Sequence, residues 1–292
     1  MSKEDLLSLF PRDLRERLSE VLNDQYNRTE EIRCRIDQPV SLIINGNNHQ
    51  LSTQRVTAAH LDYLFEHATN VSVHAFMEEI RNGFLFTASG YRIGLCGTVF
   101  FSGQTIAGIR DLTSVVIRIP HEFYGCADNV YPYLIKGGFR STMIISPPGY
   151  GKTTLLRELI RKLSQSGYRV SVADERGEIA AICNRQRGFD LGANTDVMTG
   201  GRKSECAMML LRAMNPQVLA FDEITAKADL KAIKQAFGCG ASLLATAHAS
   251  DRASLHKRSI YRKVLKSGVF EKAVWIQMSD YGREYIVEEL LQ

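Results

Sequence analysis

Nothing in the sequence pairs its cysteines. The six of them (Cys34, Cys96, Cys126, Cys183, Cys206 and Cys239) lie far apart, and none forms the CxxC pair that structural zinc sites and dithiol redox motifs use. They read as buried, reduced thiols. A long apolar run is missing as well: no segment approaches the ~20 residues that cross a bilayer. The opening MSKEDLLSLFPRDLRERLSE mixes acids and bases, where a signal peptide needs about 7–15 uninterrupted apolar residues. The expectation is a cytoplasmic protein whose only route to a membrane is a partner or a surface contact. Charge of one sign is scarce too. Lys+Arg 36 against Asp+Glu 32 leaves +4, too little to announce a nucleic-acid or membrane binder. There is no internal repeat, and 45% hydrophobic with 23% charged residues is ordinary globular composition, which removes fibrous and low-complexity classes.

What is present divides in two. At roughly 150 residues per domain, 292 residues suggest about two domains, each large enough for its own core. Residues 1–135 read as mixed α+β. Leu6, Leu7, Phe10, Leu14, Leu18, Val21 and Leu22 keep helical spacing, with Pro11 suited to the start of a second helix. Strand-like runs follow at Ile32–Ile36, Val40–Ile44, Gly83–Ala88, Gly94–Phe101 and Ser114–Ile119, with turn signals at Asn45-Gly46 and Ser102-Gly103 and a helix over Ala58–Ala68. After the glycines of Lys136-Gly137-Gly138 the texture becomes strand, glycine turn, long helix, then short apolar strands alternating with helices. That alternation predicts a parallel sheet with crossover helices over 136–292.

The stretch STMIISPPGYGKTTLLRELIRKLS, residues 141–164, carries the chemistry. Met143, Ile144 and Ile145 make a buried strand. Ser146 to Gly151 turn, and Lys152 opens a helix with Leu155, Leu156, Leu159, Ile160 and Leu163 on one face. Strand, glycine loop and helix in that order is the context of a phosphate-binding P-loop. Gly149 and Gly151 let successive N–H groups turn toward a phosphate, and the helix N-terminus adds partial positive charge. The nucleotide-binding set is therefore Pro148, Gly149, Tyr150, Gly151, Lys152, Thr153 and Thr154. Lys152 neutralises the β- and γ-phosphates of ATP, and Thr153 offers its hydroxyl to Mg²⁺. Ser146 stands where the general GxxxxGK[ST] pattern has its first glycine.

Val218 to Phe221 is a second apolar strand, and it ends in Asp222-Glu223. Asp222 fits the Mg²⁺ shell. Glu223 fits the base that orients and deprotonates the attacking water, which favours hydrolysis over a mere switch. Ser242–Ala247 leads into His248, and Val170–Ala173 into Asp174-Glu175-Arg176. In a parallel sheet the carboxyl ends of the strands line the ligand crevice, so His248 faces the γ-phosphate region, and the acids after Ala173 either share the crevice or form a solvated turn.

The strings SPPGYGKTTLLREL, VADERGEIA, GFDLGANTDVMTG, LLRAMNPQVLAFDEI and LLATAHAS, in this order, resemble the stage III sporulation protein AA family. The likeness extends through EIRCRIDQPVSLIING, VHAFMEEIRNGFLFTASGYRIGLCGTVF and VIRIPHEFYGCADNVYPYL, nearly the whole chain. These are mother-cell ATPases related to the secretion ATPases of type II and type IV systems. The resemblance implies a RecA-like P-loop core behind an N-terminal α+β domain used for assembly and partner docking. It implies a homo-oligomer, a hexamer, working on integral-membrane proteins of a complex between mother cell and forespore. Glu175 or Glu178 would correspond to the acidic element after the second core strand, and His248 to the histidine box. The secretion relatives often replace the Asp222 position by glycine, and their trans-acting arginines come from the N-terminal domain and linker. Arg92, Arg110 and Arg118 are available for that role, as is Arg202.

Two other classes stay open. A single-stranded-DNA-dependent ATPase shares the core, although no appended DNA module and no aromatic and basic stacking platform is evident and no nucleic-acid partner is expected. A nucleotide-binding scaffold without turnover is the third. Between Asp251 and Lys272 seven bases stand against two acids, so this segment carries the charge excess. The spacing predicts one helix over Leu255–Lys266 with Arg258, Arg262 and Lys266 along an outward face. That stripe suits an acidic surface on an adjacent subunit or a membrane partner.

Overall fold

A computed structural model describes residues 2–69, 76–87, 89–182, 187–279 and 282–290. The chain forms two compact units, Met1–His121 with Ala181–Gly188, and Glu122–Ala180 with Phe189–Gln292. The second therefore begins earlier than the glycine pair at 137 and 138. Residues before that pair are tied to the helix of the phosphate loop: the Gly125 N–H donates to Glu158 Oε1 at 2.9 Å, Lys162 Nζ meets Asp128 Oδ1 at 2.6 Å, and the Tyr131 hydroxyl donates to Ser166 Oγ at 2.6 Å.

The first unit packs α1 (Lys3–Ser8) and α2 (Arg12–Gln25) with a six-stranded antiparallel sheet. Leu6 on α1 is buried, Leu14, Leu18 and Leu22 are buried because helical spacing brings them to one face of α2, and Phe10 is buried in the turn between the two helices. Pro11 occupies the N-cap position just before α2, with no side-chain capping hydrogen bond. The strands are β1 (Thr29–Arg35), β2 (Pro39–Ile44), β3 (Asn47–Arg55), β4 (Phe84–Phe86), β5 (Arg92–Ser102) and β6 (Thr105–Arg118), in the order β3-β2-β1-β6-β5-β4; α3 (Ala58–Ala68) and α4 (Met77–Arg81) interrupt them. Asn45 and Gly46 both take positive φ in the two-residue turn between β2 and β3, as a tight hairpin requires. The run expected from Gly83 reduces to β4, and Ala88 lies outside the described residues. β5 and β6 continue as a two-stranded ribbon beyond their pairing with β4 and β1, exposing Val99, Phe100, Phe101 and Ile106.

The second unit is the α/β layer structure. Its elements are α5 (Tyr131–Ile135), β7 (Thr142–Ser146), α6 (Lys152–Gln165), β8 (Val170–Asp174), β9 (Thr195–Thr199), α7 (Lys203–Ala213), β10 (Val218–Phe221), α8 (Lys227–Gly238), β11 (Ser242–His248), α9 (Arg252–Lys257), α10 (Ser259–Lys266), β12 (Lys272–Ser279) and β13 (Gly282–Glu289). The sheet runs β13-β12-β7-β11-β10-β8-β9, parallel except for β13. Residues of β7, β8 and β10 are buried throughout, as central parallel strands covered on both faces must be. Because β10 and β11 lie between β7 and β8, the chain leaves β7 on one path and later returns beside it. The carboxyl ends at Ser146, Phe221 and His248 share one edge, which is where such sheets bind ligands.

Two expectations need correction. The single basic helix is two helices, broken at Arg258, whose φ of −79° and ψ of 120° are extended. Of the cysteines, only Cys34 and Cys206 are buried among the described residues; Cys126 is half-buried, and Cys96 and Cys239 are exposed. Cys96 follows buried Leu95 on a strand whose side chains alternate faces, and Cys239 ends α8 at the surface. All five are free thiols, and Cys183 lies outside the described residues.

Candidate nucleotide site

β7 delivers the chain into the loop 146–151, and α6 leaves it. Gly149 (φ +79°) and Gly151 (φ +90°) are left-handed, a conformation that costs other residues ~1 kcal/mol or more. No side chain caps α6 at its start; the N-terminal N–H groups and the dipole of a 14-residue helix are thus left for an anion. On its inner face Leu155, Leu156, Leu159, Ile160 and Leu163 are fully buried, which anchors the loop to the sheet.

Lys152 is only 6% exposed. Its Nζ donates to the carbonyls of Ser146 at 3.0 Å and Pro147 at 2.8 Å, with Ser146 Oγ at 3.4 Å. The serine in place of the usual first glycine thus adds an oxygen to the lysine's surroundings. Burial pushes the Lys152 pKa down to about 8, against the pull of Asp222 and Glu223.

Asp222 leaves the end of β10 and is held from two sides. Thr246 Oγ1 on β11 donates to its Oδ1 at 2.7 Å, and Thr153 Oγ1 on α6 to its Oδ2 at 3.3 Å. This follows from register: Phe221 pairs with Ala245, so the next residues in each strand meet. Two hard oxygens, from Thr153 and Asp222, face one another beside the loop. That donor set suits Mg²⁺, which takes one or two protein oxygens, several waters and substrate phosphates rather than a dedicated protein cage. No group of three or more His, Cys, Asp or Glu side chains that could hold a metal ion occurs among the described residues.

His248 pairs with Ser146 across β11 and β7, which sets the imidazole next to the base of the loop. Its Nε2 is 3.1 Å from Glu223 Oε2, and its backbone N–H donates to the buried Tyr261 hydroxyl at 3.1 Å. Burial and the Lys152 cation push the His248 pKa down, opposed by Glu223 and aided by Arg258. These influences favour the neutral imidazole, which with its proton on Nε2 donates to the carboxylate. Its Nδ1 is buried without a partner among the described residues.

The turn after β8 divides its acids. Asp174 is buried, accepts the N–H groups of Ile179 and Ala180 at 3.1 Å and 2.8 Å through Oδ2, and so shapes the turn. Glu175 is half-exposed and reaches α7, where Oε2 accepts the Lys203 N–H at 3.3 Å and lies 3.9 Å from its Nζ. Glu178 offers its carbonyl to Arg157.

Lys203 is the residue sequence reading missed. Its ammonium donates to the Glu223 carbonyl and to Thr225 Oγ1, and lies 3.6 Å from buried Asp229. Asp229 in turn accepts the N–H groups of Thr225 and Ala226. One cation thereby links the Glu175 turn to the backbone that carries Glu223. A lone lysine at a helix start offers no sequence signal for this.

The proposed trans-acting arginines each have a partner in their own unit: Arg92 lies over the Phe84 ring at 4.4 Å, Arg110 is 3.5 Å from Asp111, Arg118 3.6 Å from Glu31 and Arg202 3.8 Å from Glu205. Arg258, expected on the outward stripe, is exposed; its guanidinium lies 5.8 Å from the Tyr261 ring centre, and its charge reaches His248.

Sheet order, loop and converging acids define a RecA-like P-loop core behind an α+β unit. The same fold is seen in the X-ray structure of the ATPase DotB of Legionella pneumophila (TM-score 0.59, 15% identity, 95% of this chain and 80% of that one). It is seen again in the pilus retraction motor PilT with bound ADP (TM-score 0.60, 15% identity, 92% and 81%). More particularly, residues 1–284 match the family model for sporulation stage III, protein AA. Stage III sporulation protein AA of Bacillus subtilis (strain 168) is 33% identical over 274 residues, 92% of this chain and 89% of that one. The chain belongs to this family.

Proposed function

We propose that the protein is an ATP hydrolase of the secretion-motor type, driving a membrane-embedded complex between mother cell and forespore. The observation that carries the hydrolase reading is the convergence of Lys152, Thr153, Asp222, Glu223 and His248 at one sheet edge, on strands that burial and register hold rigid. Pro148, Gly149, Tyr150, Gly151 and Thr154 complete the loop around the phosphates, and Lys152 exchanges loop carbonyls for phosphate oxygens. Thr153 and Asp222 would hold Mg²⁺, which would supply charge neutralisation at the phosphates. Glu223 takes the proton of the attacking water, with His248 donating to one carboxylate oxygen and leaving the other for that water. Glu175, through Lys203, fixes the turn that presents Glu223.

A ring of six copies, peripheral to the membrane and bound to integral-membrane sporulation proteins, is the assembly that the family and fold support. No described helix is long and apolar enough to cross a membrane, so the membrane connection is assigned to partners. The exposed apolar ribbon of β5 and β6 suits the first unit to assembly.

The direct test uses two substitutions. Lys152→Ala abolishes nucleotide binding, whereas Glu223→Gln binds ATP as the wild type does and loses turnover by about 10²-fold or more. Wild-type hydrolysis by Glu223→Gln would refute the role of that carboxylate.

A further inference from the structure

The edge strand beyond the parallel core brings a second cation to the phosphate loop. Arg283, near the start of β13, pairs in register with Met278 on β12. Its guanidinium rests against Gly151: a Cβ added there would stand 3.0 Å from Cζ, 3.2 Å from Nη1 and 3.3 Å from Nε. At Gly149, by contrast, an added Cβ would meet open space. Gly151 therefore meets two demands, a left-handed turn and a seat for an arginine.

Arg283 is exposed, and no carboxylate among the described residues lies within ion-pair distance of it. Its charge is felt by Cys126 and Tyr285, and the Cys126 thiol sits 4.0 Å from the Thr154 carbonyl. These residues mark one flank of the loop, at Gly151 and Thr154. Asp222, Glu223 and His248 gather instead around Lys152 and Thr153. A triphosphate whose terminal phosphate reaches Glu223 and His248 has its nucleoside end on the Arg283 flank. A guanidinium is suited to that position, since its planar fork takes two phosphate oxygens at once.

We propose that Arg283 binds the α-phosphate of the nucleotide, closing over the phosphate chain from β13 and serving ADP and ATP alike. This rests on the nucleotide-hydrolase reading of the same loop, and it adds a ligand contact from outside the P-loop segment.

Calorimetric titration with ADP, and with ATP in a Glu223→Gln background so that it is not consumed, separates the possibilities. Arg283→Ala should weaken both nucleotides by the same factor, on the order of 10- to 100-fold for a lost charge-assisted pair. Arg283→Lys should recover only part of the loss, the ligand-free melting temperature should hold, and Arg262→Ala on α10 should bind as the wild type does. Wild-type ADP affinity in Arg283→Ala would overturn the assignment, whatever happens to the melting temperature. A loss confined to ATP would overturn it too, because the guanidinium would then act on the γ-phosphate. If the wild-type protein bound neither nucleotide, the hydrolase reading itself would fail, and this inference with it.

Discussion

Lys152 combines its proposed phosphate-binding role with burial, and the two pull its proton in opposite directions. Burial lowers its pKa to about 8, whereas a bound polyphosphate stabilises the ammonium form. Nucleotide affinity should therefore be greatest below pH 8 and fall as pH rises through that value, by up to about tenfold per unit. Stability without nucleotide runs the other way. Between pH 8 and the ordinary lysine value the unfolded chain holds a proton that the native lysine has lost, so stability climbs with pH across that window. Calorimetric affinities and denaturant midpoints measured from pH 7 to 10 check both slopes; Lys152→Met should flatten the second. Arg258 offers a similar reading at His248. Its positive charge helps hold the imidazole pKa down, so Arg258→Glu should raise it, which ¹H–¹⁵N NMR titration of His248 would show. An unmoved titration would remove Arg258 from the electrostatics of the site.

At the scale of elements, α6 links core and chemistry. Its five apolar residues are fully buried while its first turn holds the loop, so Leu159→Ala should destabilise the second unit by about 2–5 kcal/mol, read as a denaturant-midpoint shift. Burial also explains what was legible in the sequence. Apolar strands ending in chemistry-bearing residues, at Ser146, Asp222 and His248, are visible because a buried parallel strand must be continuously hydrophobic. β3 is nearly all polar, Asn47–Arg55, because it is a sheet edge paired on one side only, and it gave no alternating pattern to read. The helix break at Arg258 was hidden for a different reason. Every residue around it is compatible with helix: Asp251 caps the start of α9 through Ser254, and no glycine or proline marks its end at Arg258. Lys203 and Arg283 were illegible because their meaning lies in contacts with residues distant in the chain.

The whole molecule joins a RecA-like core to an α+β unit, and the division at His121 rather than Lys136 assigns residues 122–135 to the core. The glycines at 137 and 138 take positive φ in the turn that leads toward β7. The proposed ring assembly predicts that, where a neighbour completes each site, activity per subunit rises with protein concentration as copies assemble. Phosphate release from ATP by the purified protein tests the hydrolase reading most directly. The wild type should release phosphate in a Mg²⁺-dependent way, Glu223→Gln should bind ATP without releasing phosphate, and Lys152→Ala should do neither. Tight nucleotide binding by the wild type with no phosphate released across the concentration range would contradict that reading.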